Sequence, residues 1–325
     1  MQCVQVNQRV IAMLSRRQMR RLINSVYGAN NKYGKELDRL YKRASRQIKG
    51  EISTFLSSQA SWSGKPSEDD LEDVRRQLES INNDDISSLV NASIAMITLG
   101  HPKNSDLEIA RISIPMINVA KQQHRQLRRM AGDVPKQVQK ISHIQQSVTP
   151  EYHQLPFNYD LMLQHSVSRA IDSYDSNQNN INGTIQSAIS RIKDVAKQAS
   201  QSKDTSIDWA KKVDRILTGT NTSGGASGTA QRIIRTEACR DLNSSTIDDY
   251  KARGVSKYRF MSLEAENSCI ECTEIDGNTY DVDDAQEGVN LPPMHPNCQC
   301  WIVEVAESDD DLPTVDEMIN DDDFE

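Results

Sequence analysis

Four of the six cysteines lie between positions 269 and 300, as Cys269-Ile-Glu-Cys272 and His295-Pro-Asn-Cys298-Gln-Cys300. The text around them is rich in turns and offers only two short strand patterns, at 257–263 and 301–305, with an Asp276-Gly277 turn between them. A module of about 50 residues with so little strand buries too little apolar surface to stand unaided, so it needs a staple. Two cysteines separated by two residues on a turn can point into one metal sphere, and Cys298 and Cys300, if in a strand, project from one face. With His295 they offer five candidate ligands for four tetrahedral seats. In a reducing compartment such a set favours structural Zn over disulfides. Disulfides formed late, or free thiols packed in a small core, are the competing readings. Cys3 and Cys239 stand apart and read as incidental.

A catalytic metal needs more than this pattern supplies. A zinc deaminase carries His-x-Glu with Pro-Cys-x-x-Cys, whereas here Pro296 and Asn297 follow His295 and Ser268 precedes Cys269. A nuclease built on a stapled turn wants further histidines nearby, and His101, His124, His143, His153 and His165 all lie far upstream. No nucleophilic Ser or Cys has a neighbouring His-Asp pattern. The glycine-rich stretch 219–228 lacks the preceding strand and the Gly-Lys-Ser/Thr of a phosphate loop, so it reads as a flexible linker. No catalytic residue is expected.

Ahead of the linker the periodicity is helical. Tyr33, Leu37, Leu40, Tyr41, Ala44, Ile48, Ile52 and Phe55 recur at three- and four-residue steps. Leu71, Val74, Leu78 and Ile81 mark a second helix, opened by Pro66, the cap Ser67 and three acids in its first turn. Leu89, Val90, Ile94 and Ile97 mark a third, ended by Gly100 and Pro102. A fourth is expected over 106–130 with a kink or break at Pro115. Further faces follow around Ile185–Val195 and Ala210–Leu217, and after the linker a helix from about Thr229 runs to Gly254. The expected fold is therefore a mainly α N-terminal region (1–218), a linker (219–228), a small α+β metal-stapled domain (229–306) and a disordered acidic tail (307–325). Aromatic residues are only 5% of the chain, which argues against a β-sandwich. The most apolar stretch, 90–99, is far shorter than the roughly 20 residues a membrane span requires.

Charge is unevenly placed. Residues 1–50 hold twelve Lys or Arg against Glu36 and Asp38, and 307–325 hold ten acids and no base. Arg16, Arg17, Arg20, Arg21, Arg39, Lys42, Arg43, Arg46 and Lys49 are thus candidates for contact with phosphates or with an acidic protein surface, or simply a solvated helix face. The first residues lack the apolar run of a secretory signal, so synthesis in the cytosol is expected.

One constellation goes further. Arg235-Thr236-Glu237, Asn243 and Tyr250 on one helix, Gly254, Cys269-x-x-Cys272, Asp276-Gly277 and Pro292-Pro293-x-His295-Pro296-Asn297-Cys298-x-Cys300 resemble the C-terminal domain of phage minor head proteins related to protein F of phage Mu. The resemblance covers about 229–305. It departs at Tyr258-Arg259-Phe260, where a tryptophan is expected, and at Glu264 and Glu266, which stand where the family tends to carry Asp. It implies a non-enzymatic head morphogenesis protein in the capsid interior, formed in the host cytoplasm. Its partners would be the portal protein, the major capsid or scaffolding protein and non-specific DNA, with no membrane and with roles in packaging or ejection. The rival is a zinc-stapled DNA-processing enzyme such as a nuclease. Some relatives carry a C-terminal toxin, for which 307–325 is too short. Arg235 and Glu237, two residues apart and unable to pair with each other, are expected to dock their helix onto the small domain.

Overall fold

The structure is a computed structural model that describes residues 16–148, 160, 162–166, 174–201, 208–220, 224–262 and 269–305. The expected acidic tail, the side chains of Arg16 and Arg17, and Glu264 and Glu266 lie outside the described residues. The chain is mostly helical with one small antiparallel sheet, in keeping with the expected class. It divides into two compact units, and these do not follow the partition at 219–228.

The first unit comprises residues 31–130 and 169–234. Helix α1 (Arg16–Ser57) contributes its C-terminal part, burying Tyr33, Leu37, Tyr41, Ala44, Ile48 and Ile52 on the expected face. Leu40 and Phe55 are only half-buried. Helix α2 (Glu68–Ile81) starts where expected, the Ser67 hydroxyl accepting from the Asp70 amide at 3.1 Å. Helix α3 (Ser87–Thr98) is followed by Gly100 at φ +73°. Helix α4 (Asn104–Val148) corrects the expectation of a break, passing through both Pro115 and Pro135. Ile112, Met116 and Ile117 are fully buried around the first proline. Tertiary burial there outweighs the lost backbone hydrogen bond.

Helices α5 (Tyr174–Gln201) and α6 (Asp208–Thr218) lead to α7 (Gly225–Arg253), which begins inside the presumed linker. Gly225 there serves close approach. A Cβ on Gly225 (φ +56°) would lie 2.6 Å from the Gly219 amide nitrogen and 2.9 Å from the Ile216 carbonyl oxygen, so no other residue fits against the end of α6.

The second unit comprises residues 1–30, 131–168 and 235–325. Strand β1 (Lys257–Met261) is central, paired antiparallel with β2 (Thr279–Asp281) and β3 (Trp301–Val305); a short helix, α8 (Ile270–Glu274), lies between β1 and β2 in sequence. The Asp276-Gly277 turn is pinned to β1. Ser262 donates its amide to Asp276 Oδ1 at 2.6 Å, and Gly277 (φ +79°) donates its own to the Phe260 carbonyl. A staple is not all that closes this small sheet. Ile23, Val26 and Tyr27 of α1 and Val134, Val138 and Ile141 of α4 share one core cluster with Leu242, Phe260, Trp301 and the cysteines. Too small to bury its own apolar face, the module shares its core with helices from sequence far upstream.

Candidate metal centre

Cys269 caps the N-terminus of α8, its Sγ accepting from the Cys272 amide at 3.3 Å, so one helical turn presents both sulfurs to one side. The second arm is a turn closed by Cys298 N–H to the His295 carbonyl, with Asn297 held at φ +69°. The Asn297 amide donates to Thr236 Oγ1 at 3.0 Å, which fastens the turn to α7. Cys300 immediately precedes β3. Its carbonyl accepts from Tyr27 Oη at 2.9 Å, Asn243 Nδ2 at 3.2 Å and Cys239 Sγ at 3.6 Å. Residues from α1 and α7 thus hold the backbone of a cysteine more than fifty positions away.

These elements gather all five expected ligands into two groups that share Cys272. Cys269, Cys272 and His295 form one, and Cys272, Cys298 and Cys300 the other, the ligand atoms in each lying within 4.8 Å of one another. Cys272, Cys298 and Cys300 are buried, and Cys269 and His295 half-buried. The donor chemistry fits a metal. His295 Nδ1 lies 3.0 Å from the Pro296 carbonyl, which can only accept, so the proton sits on Nδ1. That leaves the Nε2 lone pair beside Cys272 Sγ, at 3.3 Å. Hydrogen bonds from Cys239, Cys272 and Cys300 pull the Cys298 thiol well below its usual range. Those to Cys298 and Cys300, with burial, push Cys272 up.

Cys239 is not incidental. It is fully buried in the same core, hydrogen-bonded with Cys298, and receives Asn243 Nδ2 at 3.5 Å. Burial pushes its thiol up, which keeps it a neutral donor. The same effect, with Cys239 next to it, raises Tyr27. Lone cysteines far from a motif carry no spacing signal, but Cys239 and Asn243, one helical turn apart, form a polar pair on the inner face of α7.

Arg235 and Glu237, the residues expected to dock their helix, stand in different surroundings. Arg235 is exposed, with no hydrogen bond or ion pair among the described residues. Glu237 is buried and pairs with Arg240, whose Nε reaches Glu287 Oε1 at 2.7 Å. At the last residue of α7 a second tie is fully buried. Arg253, buried, bridges Asp249 at 2.9 Å and Glu304 of β3 at 2.6 Å.

Of the basic candidates, Lys42 is paired with Asp38 at 2.6 Å and Lys49 with Asp214 at 2.8 Å. Arg20 is half-buried and Arg21 exposed, both in the N-terminal part of α1. Arg39, Arg43 and Arg46 are exposed and carry no ion pair among the described residues.

The arrangement is a small cysteine-rich α+β module whose ligand groups could hold a metal ion. Residues 185–303 match the family model described as Phage Mu protein F like protein. That stretch is a Mu protein F-like domain of the phage head morphogenesis kind, and the resemblance expected from its motifs is borne out. The match begins well before 229, taking in most of α5 and all of α6. No curated protein and no solved structure matches the chain. Among the described residues no helix is long and apolar enough to cross a membrane.

Proposed function

We propose that the chain is a structural, non-enzymatic minor head protein of a tailed phage, sited in the capsid interior near the portal, with one Zn stapling its C-terminal module. The observation that carries the reading is the family match over 185–303 together with a ligand cluster sunk in an apolar core. A catalytic metal keeps an open position with an acid or base beside it, whereas among the described residues only cysteines and His295 make up the ligand groups here. That chemistry supports a staple over the nuclease alternative. Contacts with the portal, the major capsid or scaffolding protein and the genome, and a part in packaging or ejection, belong to the same proposal.

Mass spectrometry of purified virions, with elemental analysis of the purified full-length chain, tests it. The expected result is a low-copy virion protein with about one Zn per chain. Absence from virions, or metal-dependent cleavage of DNA by the purified protein, overturns it.

A further inference from the structure

An ordinary surface helix of this protein neutralises itself. On α2, Arg75 lies 3.7 Å from Glu72 and 3.4 Å from Glu79, and Arg76 lies 3.8 Å from Asp73. The outer side of α1 is built differently. Lys35, Arg39, Arg43 and Arg46 are all exposed, and none of them has a salt bridge or hydrogen bond among the described residues. Their steps of three and four residues hold them in one sector, opposite the buried Tyr33, Leu37, Ala44 and Ile48. The acids of this stretch are engaged elsewhere, Glu36 accepting from Gln126 Nε2 at 3.0 Å and Asp38 paired with Lys42. What remains is a strip of four like charges about 16 Å long at 1.5 Å per residue.

Like charges one turn apart cost helix stability, so the strip is unfavourable in the isolated chain and is relieved by a polyanion. We propose that this face of α1 is a docking strip for the phosphates of duplex DNA. An acidic protein is the other class of occupant, and the face argues against it. Protein interfaces have an apolar centre depleted in charge, whereas the large hydrophobics exposed among the described residues are Leu99, Ile270 and Val289, none of them on α1. In the unit that holds the strip, Lys and Arg outnumber Asp and Glu, although the whole chain stands at -8. No base-reading element accompanies the strip, so binding is independent of sequence. The choice of DNA as the polyanion rests on the reading as a head protein; the cationic strip does not.

The test is fluorescence anisotropy of the full-length protein with a labelled duplex between 50 and 200 mM salt. Four phosphate contacts give a slope of log K against log salt of about -3.6, a loss of roughly 100-fold over that range. The quadruple variant Lys35→Gln, Arg39→Gln, Arg43→Gln, Arg46→Gln, with helicity confirmed by circular dichroism, is expected to bind about 100-fold more weakly at 50 mM and to lose most of the slope. Lys49→Gln, whose charge is already engaged by Asp214, leaves the slope unchanged. Wild-type affinity and slope in the folded quadruple variant overturn the proposal. So does wild-type protein that ignores DNA while the variant is lost from heads, which hands the strip to an acidic protein. DNA binding through the strip by a chain absent from virions leaves the strip standing and sinks the head-protein reading.

Discussion

The two units reach stability by opposite routes. The first is helices packed on helices, and its core residues are spaced three and four apart along elements long enough to be read as periodic. The second sets a three-stranded sheet and one short helix against segments of α1, α4 and α7, around a core in which Cys239, Cys272, Cys298 and Cys300 stand among Phe260, Trp301 and Leu242. The lesson is that regular burial and point stapling fail differently. A helical core loses stability by increments, whereas a core organised around one ligand cluster loses it at once.

The sharpest way to break the comparison is to remove the staple. Cys272 belongs to both ligand groups, so Cys272→Ser, or chelation of the proposed Zn, is expected to unfold the C-terminal module outright. Hydrogen exchange should show 257–262 and 269–305 losing protection while 31–130 keeps its own. Uniform loss across both regions would mean that the units are not separable. Isolated 229–325 is expected to stay unfolded even with Zn, because it lacks Ile23, Tyr27 and Val138.

Next in size is Arg253. Burial works against its charge, but Glu304 and Asp249 outweigh it and hold the guanidinium above its ordinary range. Arg253→Met removes the buried guanidinium that Asp249 and Glu304 share, a loss of about 3 to 5 kcal/mol by denaturant titration. Arg253→Met together with Glu304→Leu should recover part of it, which separates the unpaired charge from lost packing.

The helical unit has a weak point of its own, and it is stabilised by mutation. Burial, and then the charge of Glu51, push the Glu108 carboxyl up to about 7 from 4.5, against the pull of Arg111. Its Oε1 has no hydrogen-bond partner among the described residues. A carboxyl raised on folding binds a proton in the folded state that the unfolded state has already lost. Stability therefore falls as pH climbs from about 4.5 to about 7, and the full penalty applies above that. Glu108→Gln should flatten this dependence and gain on the order of 3 kcal/mol at pH 8, read from urea midpoints at pH 5 and pH 8. A variant no more stable at pH 8 than at pH 5, relative to wild type, would place the penalty elsewhere.

How far these features could be read from sequence follows from the range of the physics behind each. The helical face of α1 and the Ser67 cap are local, and both stand as expected. The five metal candidates were legible because ligand spacing is local to each arm. At Pro115, where α4 does not break, and at Gly225, where α7 starts inside 219–228, one shared reason applies. Their propensities are local, but burial of Met116 and the close contact of Gly225 with Gly219 are tertiary, and tertiary terms won. Cys239, Tyr27 and Asn243 meet Cys300 across 61, 273 and 57 positions, and no pattern in the sequence announces such contacts.

The smallest effect sharpens the reading of Arg235-Thr236-Glu237, where charge drew attention to the flanks and the middle residue holds the turn. Thr236 Oγ1 accepts the amide of Asn297, a residue kept in the left-handed region between two ligands of the cluster. Thr236→Val keeps the shape of the side chain and removes the acceptor. Because Asn297 is exposed, water replaces part of the bond, and the loss should be about 1 kcal/mol or less. It should appear as faster hydrogen exchange confined to 295–300, with a modest fall in metal affinity. Arg235→Gln, at an exposed side chain without an ion pair among the described residues, should change neither quantity. If Arg235→Gln loosens the turn and Thr236→Val does not, charge is the tie between α7 and the metal loop and the hydroxyl is incidental.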